Sequence, residues 1–459
     1  MSDTVTAAMA RWAAGLRFDD IPPEVLHQAK RFLLDSVGCA FGGFQQEDCE
    51  IALQVLAECA GTGACSVLVS GDETDPVSAA LANALMIRSM DYNDIYWRQD
   101  PVHPSDVIPA AMAACERQDL DARDLLLGVV LGHEFEMRLA EAAFPGIRER
   151  GWHHATLTAF VAPVVAGRLL GLDAERIQHA IGIGATHHAT FGAVTAGDLS
   201  MAKNAVDPMA TQAGMVAALL AERGYTGPQH VIDGKEGLVH CLGPEWDLDA
   251  LTDGLGETWR IERCGMKAFP TEALTHAPIS ATLDIVRDND LVPDEIESVL
   301  VRTTARAADI LADPSKYDPQ SKETADHSLP YVIAAAIVDR NVTPAQFTPE
   351  RITDPVLRAQ LGKVEIMPDP DVEAVFPELQ QAVVRIRTKS GREFSEKLDH
   401  AKGDPHNPLS DHEIEAKFDA LSDPVLSEIG RKRVKEAVWM LDDFGSARNF
   451  MWLCQKDRS

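Results

Sequence analysis

The first half of the chain has apolar residues that recur at intervals of three and four, which places them on one face of an α-helix. This pattern runs from the N-terminus to about residue 260. It includes alanine-rich segments that begin at Pro76 and Met209, and small residues of this kind let helices pack closely. Gly171 is placed to end one helix, and Asp121 and Asp173 are placed as N-caps of the helices that follow. The pattern predicts an all-helical domain.

After about residue 290 the apolar residues alternate with others at every second position, which is typical of strands. The sequence Lys389-Ser-Gly-Arg392 between two such runs predicts a hairpin turn. In chain order the predicted elements are a helix at 279–287, a strand at 299–303, a helix at 331–338, a strand at 363–366 and paired strands at 384–388 and 393–398. A smaller α+β domain is therefore expected after the helical one.

Together these patterns predict a mostly α protein with two domains. The large all-helical domain is expected at residues 1–265, and the smaller α+β domain at residues 266–404. Apolar residues return at helical spacing after about residue 410, so we expect the helical segment 405–459 to rejoin the first domain.

Charge and cysteine usage narrow the class of function. The chain has 459 residues, and 42 Lys and Arg against 71 Asp and Glu give a net charge of −29. Such a field repels nucleic acid and anionic membrane surfaces, so an anionic substrate would need a local group of cations. The eight cysteines form no C-x-x-C pair, which argues against a zinc ribbon, a redox motif or a disulfide scaffold and indicates a reducing compartment.

The N-terminal segment is amphipathic, with Val5, Met9, Trp12 and Leu16 at helical spacing, so it is a poor signal peptide. The longest weakly polar run, at 154–168, is too short to span a membrane. We therefore expect a soluble cytoplasmic protein, with the mitochondrial matrix as the alternative. No phosphate-binding glycine motif of the ATP or NAD type is present, so nucleotide chemistry has no support.

One segment, SMDYNDIYWRQDPVHPSD at 89–106, is dense in acids and aromatics. Its histidine, His103, lies between Pro101 and Pro104, which prevent a regular helix and predict a stiff loop suited to a general acid or base. The alternative is a turn capped by Asp106 with an incidental histidine.

Two adjacent histidines, His153 and His154, precede an apolar helix, where the free N–H groups of the first turn favour an anion. The alternative is a pair of histidines satisfied within the start of that helix. A second pair, His187 and His188, faces different ways on a predicted helix, which disfavours a metal site there.

Two lysines are candidates for binding an anion. Lys203 is the only lysine between Arg176 and Arg223, within a small and apolar segment, and Lys267 stands at the expected domain boundary, where clefts form. The alternative for both is a surface lysine with its charge in water. The polar residues before Tyr331, ETADHSLPY, suit acid–base work or simply the entry to a helix.

Taken together, these segments resemble the MmgE/PrpD family, which includes 2-methylcitrate dehydratase, cis-aconitate decarboxylase and iminodisuccinate epimerase. The motifs that carry the resemblance are RFLLDSVGCAFGG, SMDYNDIY with HPSD, GHEFEMRLA, GWHHATLTAF, SMAKNAVDPMATQAGMVAALLAERGYTGP, MKAFPTEALTHAPISA, ETADHSLPYVIAAAI and KGDPHNPLSDHEIEAKF. The resemblance implies an all-α domain with an α+β lid, a homodimer, and no cofactor or metal. It also implies that the active-site positions are Asp91, His103, His153, Lys203, Lys267 and Tyr331.

By the same resemblance, the expected function is a cofactor-free lyase that dehydrates a hydroxy-tricarboxylate such as 2-methylcitrate, an acid of propionate catabolism. The expected roles are substrate carboxylate binding by Lys203 and Lys267, proton transfer by His103, and orientation or tuning of His103 by Asp91. His153 would bind a carboxylate or assist the departure of hydroxide, and Tyr331 would come from the lid.

One departure is visible, because Ile95 stands where many members have a threonine. This position leaves the substrate open. The alternatives are a decarboxylase of cis-aconitate type, an epimerase of iminodisuccinate type, and a non-catalytic member that binds carboxylates.

Overall fold

The computed structural model describes residues 4–144, 146–242 and 245–457. The chain forms two compact units. The first contains residues 1–193, 204–264 and 410–459, and the second contains residues 194–203 and 265–409. A mostly α fold with a smaller α+β part, as the apolar pattern predicts, is confirmed.

The first unit is built from helices whose ends follow from local sequence. Thr4 and Asp75 cap the first and fourth helices with their side chains, and Asp173 caps the eighth as expected. The helices are α1 (Val5–Gly15), α2 (Pro23–Gly43), α3 (Glu47–Cys59), α4 (Pro76–Arg88), α5 (Ile108–Gln118), α6 (Ala122–Ala142), α7 (Ala155–Leu169), α8 (Ala174–His187), α9 (Ala202–Glu222), whose first two residues group with the second unit, and α10 (Leu238–Leu242).

Small residues let these helices approach closely. A Cβ at Gly43 of α2 would lie 1.9 Å from the carbonyl oxygen of Met86 in α4, so only glycine fits there. The close packing that the small residues predict is present at this contact.

The first unit also contains short strands, which the helical pattern does not predict because two to four residues are too few to show a period of two. They are β1 (Cys65–Ser66), β2 (Glu73–Thr74), β3 (Asp94–Trp97), β4 (Pro101–Val102), β5 (Ala143–Phe144) and β6 (Glu245–Trp246). Tyr96 of β3 pairs with Val102 of β4 in an antiparallel ribbon. His103 follows this ribbon directly and precedes a 3₁₀ turn at Pro104–Val107. The expected loop is therefore held by backbone pairing.

The second unit is α+β. Its helices are α11 (His276–Asp288), α12 (Ala305–Leu311), α13 (Lys322–Ala325), α14 (Leu329–Asp339), α15 (Pro349–Ile352), α16 (Pro355–Leu361) and α17 (Pro370–Glu373). Its strands are β7 (Gly265–Met266), β8 (Ile296–Thr303), β9 (Val364–Pro368), β10 (Ala382–Thr388) and β11 (Glu393–Leu398).

Four of these strands form one sheet in the order β11-β10-β8-β9, with β8 and β9 parallel and the other pairs antiparallel. Val384 of β10 lies opposite Val301 of β8, and both are buried. Helix α11 packs on β10 and β11. The predicted strands and the hairpin after Thr388 are confirmed.

Three C-terminal helices complete the first unit: α18 (Asp411–Ser422), α19 (Glu428–Trp439) and α20 (Ala447–Leu453). Lys417 of α18 is buried and its Nζ lies 2.7 Å from Asp35 Oδ1 of α2. The same ammonium donates to the carbonyl of Tyr92 at 2.6 Å and lies 3.8 Å from the centre of its ring. A buried ion pair thus ties the end of the chain to its second helix.

Within the described residues, no helix combines the length and the apolar character that crossing a membrane requires. All eight cysteines are free thiols.

Candidate active site

His103 is held in one tautomer by the backbone. Its Nδ1 lies 2.6 Å from the carbonyl oxygen of Asp94, and a carbonyl only accepts, so Nδ1 carries the proton. The Asp94 carboxylate in turn accepts from the backbone N–H and the hydroxyl of Ser105, at 2.9 and 2.6 Å. In the neutral ring the lone pair is therefore on Nε2. A buried imidazole with this tautomer is prepared to accept a proton at Nε2.

His153 is held in the opposite tautomer at the start of α7. The backbone N–H of Ala155 donates to its Nδ1 at 3.2 Å, so the proton of the neutral ring is on Nε2. Burial lowers the pKa of His153 well below its ordinary value, and the neighbouring His154 lowers it further. His153 is therefore neutral at pH 7, with an Nε2–H donor that has no hydrogen-bond partner among the described residues.

His154 lies between these two rings. Its centre is 3.8 Å from that of His153 and 5.1 Å from that of His103. Its Nε2 is 3.5 Å from Asp207 Oδ1, which comes from α9. All four side chains are almost completely buried. The three imidazoles thus form a row with one carboxylate at its side.

Three carboxyl groups lie close to the guanidinium of Arg88. It pairs with Asp91, and its Nε lies 3.5 Å from Asp207 Oδ2 and 3.7 Å from Asp106 Oδ2. One cation cannot balance three buried anions, so a carboxylate must be neutral. Burial, and then the charge of Asp207, raise the pKa of Asp106 well above its usual value, which favours the protonated form of Asp106.

Asp207 is the ionised partner. Burial disfavours its charge, but His154, His153 and Arg88 outweigh burial and hold the pKa of Asp207 well below its usual value. The contributions of the two histidines are larger than that of Arg88, so the pKa of Asp207 is lowered most while these imidazoles carry a proton.

Asp91 and Ile95 flank the histidine loop. Asp91 is buried with a positive φ of 49°, and its carboxylate pairs with Arg88. The contact that orients the ring of His103 is with the carbonyl of Asp94, so the expectation that Asp91 orients or tunes His103 stays a prediction. Ile95 lies half-buried in β3.

The second unit contains the other expected site residues. Lys203 lies in the first turn of α9 and Lys267 follows β7, and each is only 2 % exposed. The alternative of a surface lysine is therefore wrong for both. Such burial suits a cation that meets an anionic ligand, and their role in carboxylate binding stays a prediction.

Tyr331 is fully buried in α14, and its hydroxyl donates to the carbonyl of Gln346 at 2.5 Å. Its backbone N–H is capped by the hydroxyl of Ser328 at 3.0 Å. These contacts match the helix-entry alternative for this segment. A catalytic role for Tyr331 stays a prediction.

Sequence reasoning did not single out Arg88 or Asp207, and it left His154 as one half of an ambiguous pair. Arg88 ends an apolar helix, and Asp207 is an acid in an otherwise small and apolar segment. The same isolation that marks Lys203 therefore marks Asp207. The contact between Arg88 and Asp207 joins residues 119 positions apart, which no local spacing reveals.

Among the residues that the structure describes, three groups of side chains bring atoms of metal-ligand type within 4.8 Å of one another: Asp94, His133 and Cys264; His153, His154 and Asp207; and His400, Asp404 and His406. Burial raises the pKa of Cys264 well above its ordinary value, which disfavours the thiolate that a metal needs.

In the other two groups the imidazoles stack, at 3.8 Å with a 36° tilt and at 4.3 Å with a 26° tilt. Nitrogen lone pairs lie in the ring planes, so stacked rings do not direct them at one point. These groups fit hydrogen-bonded or proton-sharing clusters better than metal sites.

Comparison with known proteins covers nearly the whole chain. Residues 7–250 match the family model of the MmgE/PrpD N-terminal domain, and residues 269–443 match that of the MmgE/PrpD C-terminal domain. A cis-aconitate decarboxylase of Aspergillus terreus is 26 % identical, over 95 % of this chain and 93 % of that protein.

Two further relatives are a protein of the same name and one of a different name. The human cis-aconitate decarboxylase is 26 % identical, over 93 % of this chain and 89 % of its own length. A mitochondrial 2-methylcitrate dehydratase of Yarrowia lipolytica is 24 % identical, over 75 % of this chain and 68 % of its own. The chain is thus similar over most of its length to proteins named as decarboxylases and as a dehydratase.

Proposed function

Because this chain belongs to the MmgE/PrpD family, we propose that it is a lyase that moves a proton at the carbon next to a carboxylate of a small di- or tricarboxylic acid. The leading reaction is dehydration of a hydroxy-tricarboxylate such as 2-methylcitrate. The observation that carries this proposal is the pair of opposite tautomers, with an acceptor at Nε2 of His103 and a donor at Nε2 of His153.

Dehydration uses both groups. Nε2 of His103 takes the proton from the carbon next to a carboxylate, and the electron pair of that C–H bond forms the double bond as the C–O bond breaks. The N–H of His153 donates a hydrogen bond to the departing hydroxyl or to a carboxylate as negative charge develops there. The proton on His103 and the hydroxide leave as water, so the atoms balance and both histidines return to their starting state.

The two buried lysines would supply the positive charge that a carbanion next to a carboxylate needs. Lys203 and Lys267 are proposed to bind substrate carboxylates, because the protein as a whole carries −29 and the described cluster around Arg88 is itself anionic. Nothing in this chemistry calls for an added cofactor.

Decarboxylation of cis-aconitate is the second candidate, favoured by relatives of that name that match 95 % of the chain. In this reaction the bond between carbon and carboxylate breaks, carbon dioxide leaves, and the carbanion takes a proton. His103 would then act from its protonated form, as an acid. The two reactions therefore require opposite charge states of one residue.

The test is turnover of 2-methylcitrate, citrate and cis-aconitate by the purified protein, followed by the ultraviolet absorbance of the alkene and by released carbon dioxide. Dehydration is expected to lose activity as pH falls and His103 becomes charged, whereas decarboxylation is expected to lose activity as pH rises. His103→Gln should lower kcat by about 10²–10⁴-fold.

The matched control is His27→Gln, which alters an exposed histidine of the same unit, 3.1 Å from Asp411, and should turn over at the wild-type rate. Wild-type activity in His103→Gln would refute the assignment of His103. Silence on all three acids, combined with binding of them, would favour the non-catalytic alternative, and turnover of an imino-dicarboxylate alone would favour an epimerase.

A further inference from the structure

We propose that Asp207, acting through His154, is a positioning residue that stabilises the protonated form of His103. This inference rests on the proposed function, because it concerns the histidine that moves the proton there. It goes further by assigning roles to two residues that the family resemblance does not include.

The geometry places His154 as an intermediary. Its Nε2 faces Asp207 Oδ1 at 3.5 Å, and its ring meets that of His103 edge to face with centres 5.1 Å apart. At 3.5 Å this contact is an ion-pair contact and not a hydrogen bond, and an ionised carboxylate there favours a proton on Nε2 of His154. The same ring lies against that of His103, so the charge of Asp207 lies on the other side of His154 from a neighbouring imidazole.

Asp207 is itself fixed from the other side. Its second oxygen lies 3.5 Å from Nε of Arg88, which is buried in α4 and also pairs with Asp91. A carboxylate held between a permanent cation and an imidazole has little freedom to turn. Because Arg88 belongs to α4, the orientation of Asp207 and its contact with His154 depend on the position of that helix.

The charges around the three imidazoles indicate which anion would stabilise a proton on Nε2 of His103, and this anion is Asp207. Among the described residues, the titratable groups near the three imidazoles, apart from Asp207, are Arg88, Arg148, Asp91, Asp94, Asp106, Glu136 and His188. Burial raises the pKa of Glu136 well above its usual value, and Asp106 is protonated for the reasons given above, so both are neutral. Burial lowers the pKa values of His153 and His188, which leaves those rings uncharged.

Arg88 pairs with Asp91, and the carboxylate of Asp94 faces Ser105 and His133, so Asp207 is the anion that contacts an imidazole of the row. When Nε2 of His103 accepts a proton, the imidazolium forms beside His154, whose far edge contacts that anion. Loss of the anion should therefore make protonation of His103 harder.

The test is a titration of the free protein by NMR with histidine labelled in its ring, which needs no substrate. His103 is assigned from the signal lost in His103→Gln. Replacing Asp207 by Asn should lower the titration midpoint of His103 by about one pH unit, the effect of removing one charge roughly 10 Å away at an effective dielectric constant of about 20.

His154→Gln removes the ring between the two groups but keeps the charge of Asp207, so it should lower the midpoint by less than Asp207→Asn does, and the two shifts should not add in full when the substitutions are combined. Asp207→Glu should keep the wild-type midpoint. The control is Glu116→Gln, which alters another buried carboxyl group, one that accepts hydrogen bonds from Ser66 outside the cluster. In this variant the titration midpoint of His103 should be that of the wild type.

An unchanged midpoint in Asp207→Asn would overturn the proposal. If Asp207→Asn lowered the midpoint of His103 as much in the His154→Gln background as it does in the wild type, Asp207 would not act through His154. Should Asp207→Asn fail to fold, His154→Gln decides alone, since the side chain of His154 makes no capping hydrogen bond to α7.

The pH dependence of kcat/KM provides a second readout. The limb of this pH profile that reflects protonation of His103 should shift, in every variant, by the same amount as the NMR midpoint of His103. Because the NMR shift is measured without turnover, failure of this inference and failure of the proposed reaction give different results.

Discussion

Replacing Lys417 by Met is expected to destabilise the protein by about 3–5 kcal/mol, because it leaves the carboxylate of Asp35 buried without its counter-ion. The side chains of Lys417 and Asp35 are 6 % and 1 % exposed, so neither charge reaches water in the folded state. Methionine keeps most of the volume of the lysine stem, and the loss is therefore chiefly electrostatic.

The magnitude depends on pH in a definite direction. Burial raises the pKa of Asp35 above its ordinary value, and Lys417 opposes that rise. Without Lys417 the native pKa of Asp35 climbs further above its unfolded value. Below the native pKa of the wild type, Asp35 is protonated in both folded proteins and the gap between them is small. The gap grows as pH rises from that pKa to the higher native pKa of the variant, and is then constant.

The assay is urea unfolding followed by far-ultraviolet circular dichroism at pH 4.5 and pH 7, for the wild type, Lys417→Met and the double variant with Asp35→Asn. The gap to wild type should widen with pH for Lys417→Met and should be largely independent of pH in the double variant. The control is Lys435→Met in α19, which removes a half-exposed pair with Asp419 and should cost less than about 1 kcal/mol. A loss below about 1 kcal/mol, or a gap of equal size at both pH values, would refute this account of the ion pair.

Three further outcomes are expected. Tyr331→Phe should lower stability by about 1–2 kcal/mol in urea unfolding, because the carbonyl of Gln346 loses its donor; a hundredfold fall in kcat at unchanged stability would instead support the catalytic role implied by the family. Gly43→Ala should cost about 3 kcal/mol by thermal unfolding, since its Cβ would overlap the carbonyl of Met86, whereas Gly15→Ala, with open space around it, should be neutral. Asp106→Asn should cost less stability in urea than Asp207→Asn, because an amide resembles the protonated carboxyl of Asp106 but removes the charge of Asp207; equal costs would contradict the assigned protonation states.

The sequence predicts those features that depend on neighbours along the chain. The period of the apolar residues predicts the helices and the strands β8 and β10, and the flanking prolines single out the loop of His103. The isolation of Lys203 correctly points to a buried cation.

Features that depend on distant residues escape such reasoning. The tautomers of His103 and His153 are set by backbone groups whose positions only the fold determines. Arg88 looks ordinary in the sequence, and neither the isolation of Asp207 nor the position of Asp106 reveals that both carboxyl groups lie near one guanidinium. The ribbon of β3 and β4 is likewise too short to leave a periodic signal.

The ion pair between Asp35 and Lys417 also has a consequence for how the chain matures during synthesis. The two residues are 382 positions apart. At roughly 5–20 residues per second, Lys417 is therefore synthesised about 20–80 s after Asp35. The second unit, residues 194–203 and 265–409, is complete before α18 exists. Nascent chains that contain the early helices but not yet α18 should therefore expose the apolar surface of α2 that α18 later covers. Because exposed apolar surface is what chaperones bind, we expect chaperones to bind these chains during that interval.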